Sequence, residues 1–195
     1  MANEFYALLG RMRYITRWGL MRNSFSENIQ EHSHQVAVLA HALALVRQQI
    51  LGLEGPDPDR CAVAALYHDA SEIFTGDLPT PIKYHDSTMK NAYKRVEYVA
   101  AERLLDMLPQ QLRGYYAPLV HEEDPQISQI VKAADKLSAY IKCVEEQKAG
   151  NSEFESAAVG ILKSMQDMHQ PELDWFMAEC LPAFCQNLDQ LGFGL

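Results

Sequence analysis

An unbroken apolar run, Cys61-Ala62-Val63-Ala64-Ala65-Leu66-Tyr67, ends abruptly on His68, Asp69, Ser71 and Glu72. The run reads as a buried helix, and its polar end is the strongest constraint in the chain. At 3.6 residues per turn, Glu72 falls one turn after His68 and Asp69, so the spacing predicts one helical face carrying all three. An imidazole and two carboxylates at the end of an apolar helix are costly to bury unless something satisfies them. A divalent cation that takes nitrogen and carboxylate oxygen together is the most economical candidate. A buried structural hydrogen-bond network is the blander one. Gly76 breaks the helix, and Pro79 and Pro81 predict an ordered, non-helical loop over 77–83.

A second His-Asp pair, His85-Asp86, lacks such company. It precedes a long amphipathic segment, so Asp86 or Ser87 reads as a helix N-cap.

The rest of the chain is patterned for helices. Apolar residues at 5, 8, 9, 12 and 15 predict one over 3–16, followed by an irregular loop to about residue 27 that carries Arg17 and Trp18. Those two suit a ligand wall, guanidinium for phosphate and indole for a flat surface, or else a surface ion pair and a core tryptophan. A helix over 28–50 has the stripe Val36, Leu39, Ala40, Leu43 and Val46. His32 points inward at its start; it is either a satisfied core histidine or the second nitrogen donor beside His68-Asp69. His34 faces elsewhere, and His41 lies among alanines. Asp57-Pro58 reads as N-cap and first residue of the central helix. Helices are expected over 87–108 (Ala92, Val96, Val99, Ala100, Leu104, Leu105 and Leu108 inward) and 126–149. Two more are expected over 152–168 and 171–190, their apolar faces packing in the core or at a dimer surface. On the 126–149 helix, Asp135 sits at the stripe's edge among small residues: a metal ligand, or an exposed acid paired with Lys132 or Lys136.

No strand pattern has any strength, so the expected fold is all-α, with any metal site built from side chains on several helices. At 195 residues the chain is expected to be one domain, 1–195. A net charge of −9 argues against nucleic acid as a partner, though local Arg and Lys suffice for a mononucleotide. Cys61, Cys143, Cys180 and Cys185 have no zinc-ligand spacing, which suits free thiols in the cytoplasm. Glu4, Arg11 and Arg13 interrupt the N-terminal apolar residues, against a signal peptide. No run approaches membrane-spanning length.

The ordered set His32, His68-Asp69, Asp135 resembles the H…HD…D signature of the HD-domain metal-dependent phosphohydrolases. Three flanking stretches are more specific: RWGLMRNSFSENIQEHSHQVA (17–37), ALYHDASEIFTGDLPTPIKY (65–84) and VKAADKLSAYIKC (131–143). They closely resemble the bacterial HD-domain 5′-deoxynucleotidases over nearly the whole chain. The resemblance implies an all-α HD-domain bundle with a core of about 17–145, usually a homodimer, with one divalent ion per site. Co²⁺ or Mn²⁺ is favoured among several possible metals. It implies hydrolysis of deoxyribonucleoside 5′-monophosphates, selective against ribonucleotides. Carried over by motif position, His32, His68, Asp69 and Asp135 hold the metal, with both aspartates also facing substrate. Arg17 and Trp18 contact phosphate and sugar, Arg17 also acting in catalysis. Glu72 is catalytic, and Asp77, Leu78, Pro79 and Thr80 line the substrate. Whether Glu72 or Asp77 serves as base or proton relay stays open. The alternatives are an HD phosphohydrolase acting on a cyclic nucleotide, a nucleoside triphosphate or an alarmone, and a non-catalytic metal- or nucleotide-binding protein.

Overall fold

The structure is a computed structural model that describes residues 3–83 and 86–193. It is helical: α1 (Phe5–Leu9), α2 (Ile29–Leu45), α3 (Pro58–Tyr67), α4 (Glu72–Thr75), α5 (Thr80–Lys83), α6 (Ser87–Leu105), α7 (Gln110–Val120), α8 (Pro125–Lys148), α9 (Glu155–Gln166) and α10 (Pro171–Glu179). Among the described residues the β structure is one isolated antiparallel bridge, Thr16 to Asn28, which closes the base of the Arg17–Trp18 loop.

The helix starts follow local chemistry. Asn28 caps α2 through the Gln30 and Glu31 N–H groups, and the Glu31 carboxylate bonds back to the Asn28 N–H, a reciprocal capping box. Asp57 caps α3 with Pro58 at its first position. Asp86 caps α6 through the Met89 N–H; His85 lies outside the described residues.

The main core is formed by α2, α3 and α8. Val36, Leu39, Ala40 and Leu43 meet Cys61, Ala64 and Ala65, and both meet Ile130, Val131, Ala134, Leu137 and Ile141. Met165 of α9 and Leu173 and Phe176 of α10 join this cluster. A second cluster packs Phe5 and Ala70 against Leu104, Leu105 and Leu108. No helix among the described residues is long and apolar enough to cross a membrane.

Several expected elements differ. The helix expected through Glu72 stops at Tyr67. His68 caps it, its ring Nδ1 bonded to the Ala65 carbonyl at 2.7 Å, and tight bonds such as Glu72 N to Asp69 O (3.0 Å) turn the chain into α4. Glu72 is therefore the first residue of a new helix, not one turn along the same one. The 77–83 stretch is non-helical only to Pro79; α5 follows, and proline is tolerated in a helix's first turn because no N–H is needed there. The N-terminal helix stops at Leu9, giving way to a 3₁₀ turn over Met12–Tyr14. The last turn of the 28–50 helix, Val46–Ile50, is a π turn. Residues 171–190 are not one helix: Pro182 lacks the N–H to continue α10, and a 3₁₀ turn replaces it. On α6, Ala92, Val96 and Val99 are exposed: the buried apolar residues of this helix begin at Ala100, and before it α4 and α5 are met by Tyr93 rather than by the expected stripe.

Candidate active site

Three helices converge their polar residues on one point. His32 comes from the first full turn of α2, His68 and Asp69 from the turn after α3, and Asp135 from α8. The donor atoms of His32, His68 and Asp135 lie within 4.8 Å of one another. His32 Nε2 is 3.1 Å from Asp135 Oδ1 and 3.6 Å from Asp69 Oδ2. His68 Nε2 is 3.2 Å from Asp69 Oδ2, without hydrogen-bond geometry.

The outer nitrogens decide which atoms face inward. Ser138 Oγ donates its one hydrogen to Gln35 Oε1 at 2.7 Å, so it accepts from His32 Nδ1–H at 3.1 Å. His68 Nδ1–H donates to the Ala65 carbonyl. Both rings thus turn an Nε2 lone pair towards carboxylate oxygens. Lone pairs facing lone pairs in a largely buried site require positive charge between them. In the protein alone, protons supply it. Burial would lower His68, but Asp69 and Asp135 outweigh it and hold the imidazole up at about 9. Burial likewise pushes both aspartates up, but the imidazoles prevail: Asp135 falls to about 2 and Asp69 is held below the usual carboxylate range. His32 is held down, first by burial and then by Arg17. His32, His68 and Asp135 in this arrangement fit a divalent ion with N/O ligation; Asp69 Oδ2 approaches both imidazoles but lies outside that three-residue group. Bonds from a protein acceptor to each ring's far nitrogen are the usual means of orienting such ligands.

Arg17 lies beside this cluster. Its charge is felt by His32, Asp69 and Asp77. Its Nε sits 3.4 Å from Glu27 Oε2, yet Nε and Nη1 are buried and have no hydrogen-bond partner among the described residues. An under-bonded guanidinium at the edge of a cation site suits an oxyanion. Trp18 adopts φ +56, a left-handed backbone unusual for a bulky residue. It is held there: its indole N–H donates to Glu27 Oε2 at 3.0 Å, and its ring packs on Phe154 with centroids 5.3 Å apart.

Glu72 is buried. One carboxylate oxygen accepts from Lys83 Nζ at 2.6 Å; the other has no partner among the described residues. Burial, reinforced by Asp69 and opposed by Lys83, pushes its carboxyl up to about 8. Gly76, at φ +70, closes α4 and turns the chain into Asp77, Leu78 and Pro79, all half-buried. Burial raises Asp77, and Arg17 and Lys83 oppose it. Thr80 begins α5, but its side chain lies outside the described residues.

Three contributors were missed from sequence: Glu27, Lys83, and a polar stripe on α8 that runs Asp135, Ser138, Lys142, Glu146 at helical spacing. That spacing was the available signal. A cavity of about 570 Å³ has Glu27 and Gln35 in its lining but none of the four clustered residues; it is chemistry, not concavity, that locates the site. His34 is exposed and His41 pairs with Asp59, so neither joins the cluster. Cys61 and Cys143 are buried free thiols.

The sequence model of the family described as 5′-deoxynucleotidase YfbR-like matches residues 4–184. Among curated proteins, the chain is similar to a 5′-deoxynucleotidase of Erwinia tasmaniensis (45% identical, covering 97% of this chain and 96% of that one). It is similar also to the 5′-deoxynucleotidase YfbR of Salmonella paratyphi B (46% identical, with the same coverage). Among solved structures, an HD-domain phosphohydrolase from Listeria innocua shares the fold with a TM-score of 0.80, at 21% identity over 95% of this chain and 90% of that one. The HD phosphohydrolase of cyanophage S-2L, bound to dA and one catalytic Zn²⁺ ion, does so with a TM-score of 0.65, at 20% identity over 90% of this chain and 95% of that one.

Proposed function

The chain belongs to the YfbR-like 5′-deoxynucleotidase family, and from that premise we propose how its site works. It is a phosphoric monoester hydrolase that converts deoxyribonucleoside 5′-monophosphates to deoxynucleoside and phosphate. The observation that carries the metal centre is the pair of Nε2 lone pairs turned on Asp135 and Asp69 at 3.1–3.6 Å. His32, His68, Asp69 and Asp135 hold one divalent ion. When bound, that ion draws charge from a phosphoryl oxygen and acidifies water.

The chain's own groups do the rest. Arg17 takes the phosphate with its unpartnered guanidinium nitrogens and offsets charge that develops there. Asp69 and Asp135, at the same spot, face the substrate phosphate as well as the ion. The attacking water's oxygen bonds to phosphorus, the bond to the 5′-oxygen breaks, and that oxygen gains a proton. Glu72 is the proton carrier: it has a free oxygen, and a carboxyl near 8 exchanges protons at neutral pH. Asp77, Leu78, Pro79 and Thr80 line the sugar and base.

Selectivity for deoxyribose follows from rigidity. A loose apolar pocket rejects an added hydroxyl only about a hundredfold. Trp18, pinned by Glu27 and Phe154, is a wall that does not yield to a 2′-hydroxyl. Mixed N/O ligation admits several metals, with Co²⁺ and Mn²⁺ the favoured ones. We read residues 1–195 as one HD-type domain. A homodimer is supported by the exposed apolar Val96, Tyr98 and Val99 on α6, and a cytoplasmic setting by the free cysteines.

The test is chromatographic analysis of the nucleoside and nucleotide products from dAMP, AMP, dGTP and a cyclic nucleotide, with free phosphate followed for the monophosphates, using chelator-stripped protein resupplied with Co²⁺, Mn²⁺, Mg²⁺ or Zn²⁺. Metal-dependent release from dAMP with little from AMP is expected. Release from AMP at the same rate removes the selectivity, and turnover of the cyclic or triphosphate substrate alone replaces the substrate class.

A further inference from the structure

The polar stripe of α8 continues past the metal cluster into the interior. Lys142 and Glu146 are buried, 1% and 0% exposed, and paired with each other one helical turn apart. Neither is needed for the helix, and a buried ion pair is weak evidence for stability, because desolvation offsets most of the attraction. What the pair does is grip the Arg17–Trp18 loop at its far end. Lys142 Nζ donates to the Phe25 carbonyl at 2.7 Å and lies 3.3 Å from the centre of the Phe25 ring. Glu146 accepts from the Ser24 N–H at 2.8 Å and from Asn151 Nδ2 at 2.8 Å. Asn151 in turn donates to the Arg22 carbonyl at 2.7 Å. Nearer the site, Asn23 Nδ2 donates to the Trp18 carbonyl at 3.3 Å, and Arg17 N–H donates to the Glu27 carbonyl at 2.9 Å. The bridge at Thr16 and Asn28 closes the loop's base.

We propose that Lys142 and Glu146 are positioning residues for substrate recognition: from the helix that carries Asp135, they set where Arg17 and Trp18 stand relative to the metal cluster. The inference rests on the reading of Arg17 and Trp18 as the phosphate and sugar contacts. One rigid helix then indexes both halves of the site, the ion through Asp135 and Ser138 and the substrate loop through Lys142 and Glu146. The anchoring backbone groups of Ser24 and Phe25 have no regular secondary structure to satisfy them, so the buried charges stand in for it.

The test is the double variant Lys142→Met/Glu146→Gln, which removes both charges at similar volume, with Arg17→Ala beside it. In the double variant, bound metal per chain and its affinity are expected to stay at the wild-type level. KM for dAMP is expected to rise about tenfold, and the dAMP-to-AMP ratio of kcat/KM to fall by a similar factor, as loop misplacement dictates. A lowered Tm with both kinetic quantities unchanged shows a purely structural pair and overturns the proposal. Arg17→Ala separates the two layers. If it raises KM and the double variant does not, the positioning role fails while the substrate reading stands; if Arg17→Ala leaves KM alone, the underlying reading fails. Should the double variant not fold, Phe25→Leu takes its place, since it alters a half-exposed loop residue and leaves α8 intact. It is expected to raise KM and to lower the dAMP-to-AMP ratio; no change in either overturns the proposal.

Discussion

His32 Nε2 stands 3.1 Å from Asp135 Oδ1 while its other ring nitrogen is bonded to Ser138 Oγ at the same distance. The serine fixes the tautomer, because its own hydrogen goes to Gln35. Ser138→Ala leaves the ring free to flip. Metal affinity is expected to drop 10- to 100-fold, about the usual cost of losing such a partner, with KM for dAMP at saturating metal unchanged. Metal titration followed by steady-state kinetics measures both; an unchanged metal affinity removes Ser138 from the site.

Glu72 and Lys83 form a second pair, with Lys83 Nζ 2.6 Å from Glu72 Oε1. Glu72→Gln is expected to lower kcat by about 10²–10⁴ with metal retained. Lys83 holds the Glu72 carboxyl down against burial, so Lys83→Met lets it rise. The acidic limb of the kcat–pH profile then moves to higher pH, because ionised Glu72 becomes scarcer at any given pH. A limb that stays in place, or moves lower, contradicts the proton-carrier role.

Trp18→Ala is expected to admit ribonucleotides. The ratio of kcat/KM for dAMP over AMP should fall at least about tenfold, the range over which a loosened pocket discriminates poorly. An active variant with full deoxyribose preference shows that Trp18 is not the wall.

Glu146 makes stability depend on acid. Burial pushes its carboxyl up, but the bonds from Lys142, Asn151 and Ser24 overcome this and bring it from 4.5 down to about 2. A depressed carboxylate contributes stability that is complete above pH 4.5 and is lost as pH falls towards 2. Denaturant unfolding at pH 6 and pH 3 should show wild type losing more stability than Glu146→Gln. Equal losses contradict the assignment.

Much of this site is legible in the sequence, and the reasons are local. His68 and Asp69 stand out because they interrupt an apolar run, and His32 because it heads an apolar stripe. Asn28, Asp57, Asp86 and the proline positions announce helix starts through capping chemistry alone. What is hidden depends on tertiary partners. The break between Tyr67 and Glu72 is made by a ring-to-carbonyl bond that periodicity does not encode. Val96 and Val99 fit an inward stripe, yet they are exposed, and the face of α6 turned towards α4 and α5 carries Tyr93 instead. Nothing in the local sequence around Lys142 and Glu146 marks them as interior; the loop folded over them makes them so.

The central claim is that one ion, held by His32, His68, Asp69 and Asp135, switches on phosphate release from dAMP. Titrating chelator-stripped protein with Co²⁺, while following visible absorption and phosphate release in the same sample, tests it most directly. Both signals should rise together and saturate at one ion per chain, and both should vanish in His68→Asn. Full activity in stripped protein, or activity in His68→Asn equal to wild type, would contradict it.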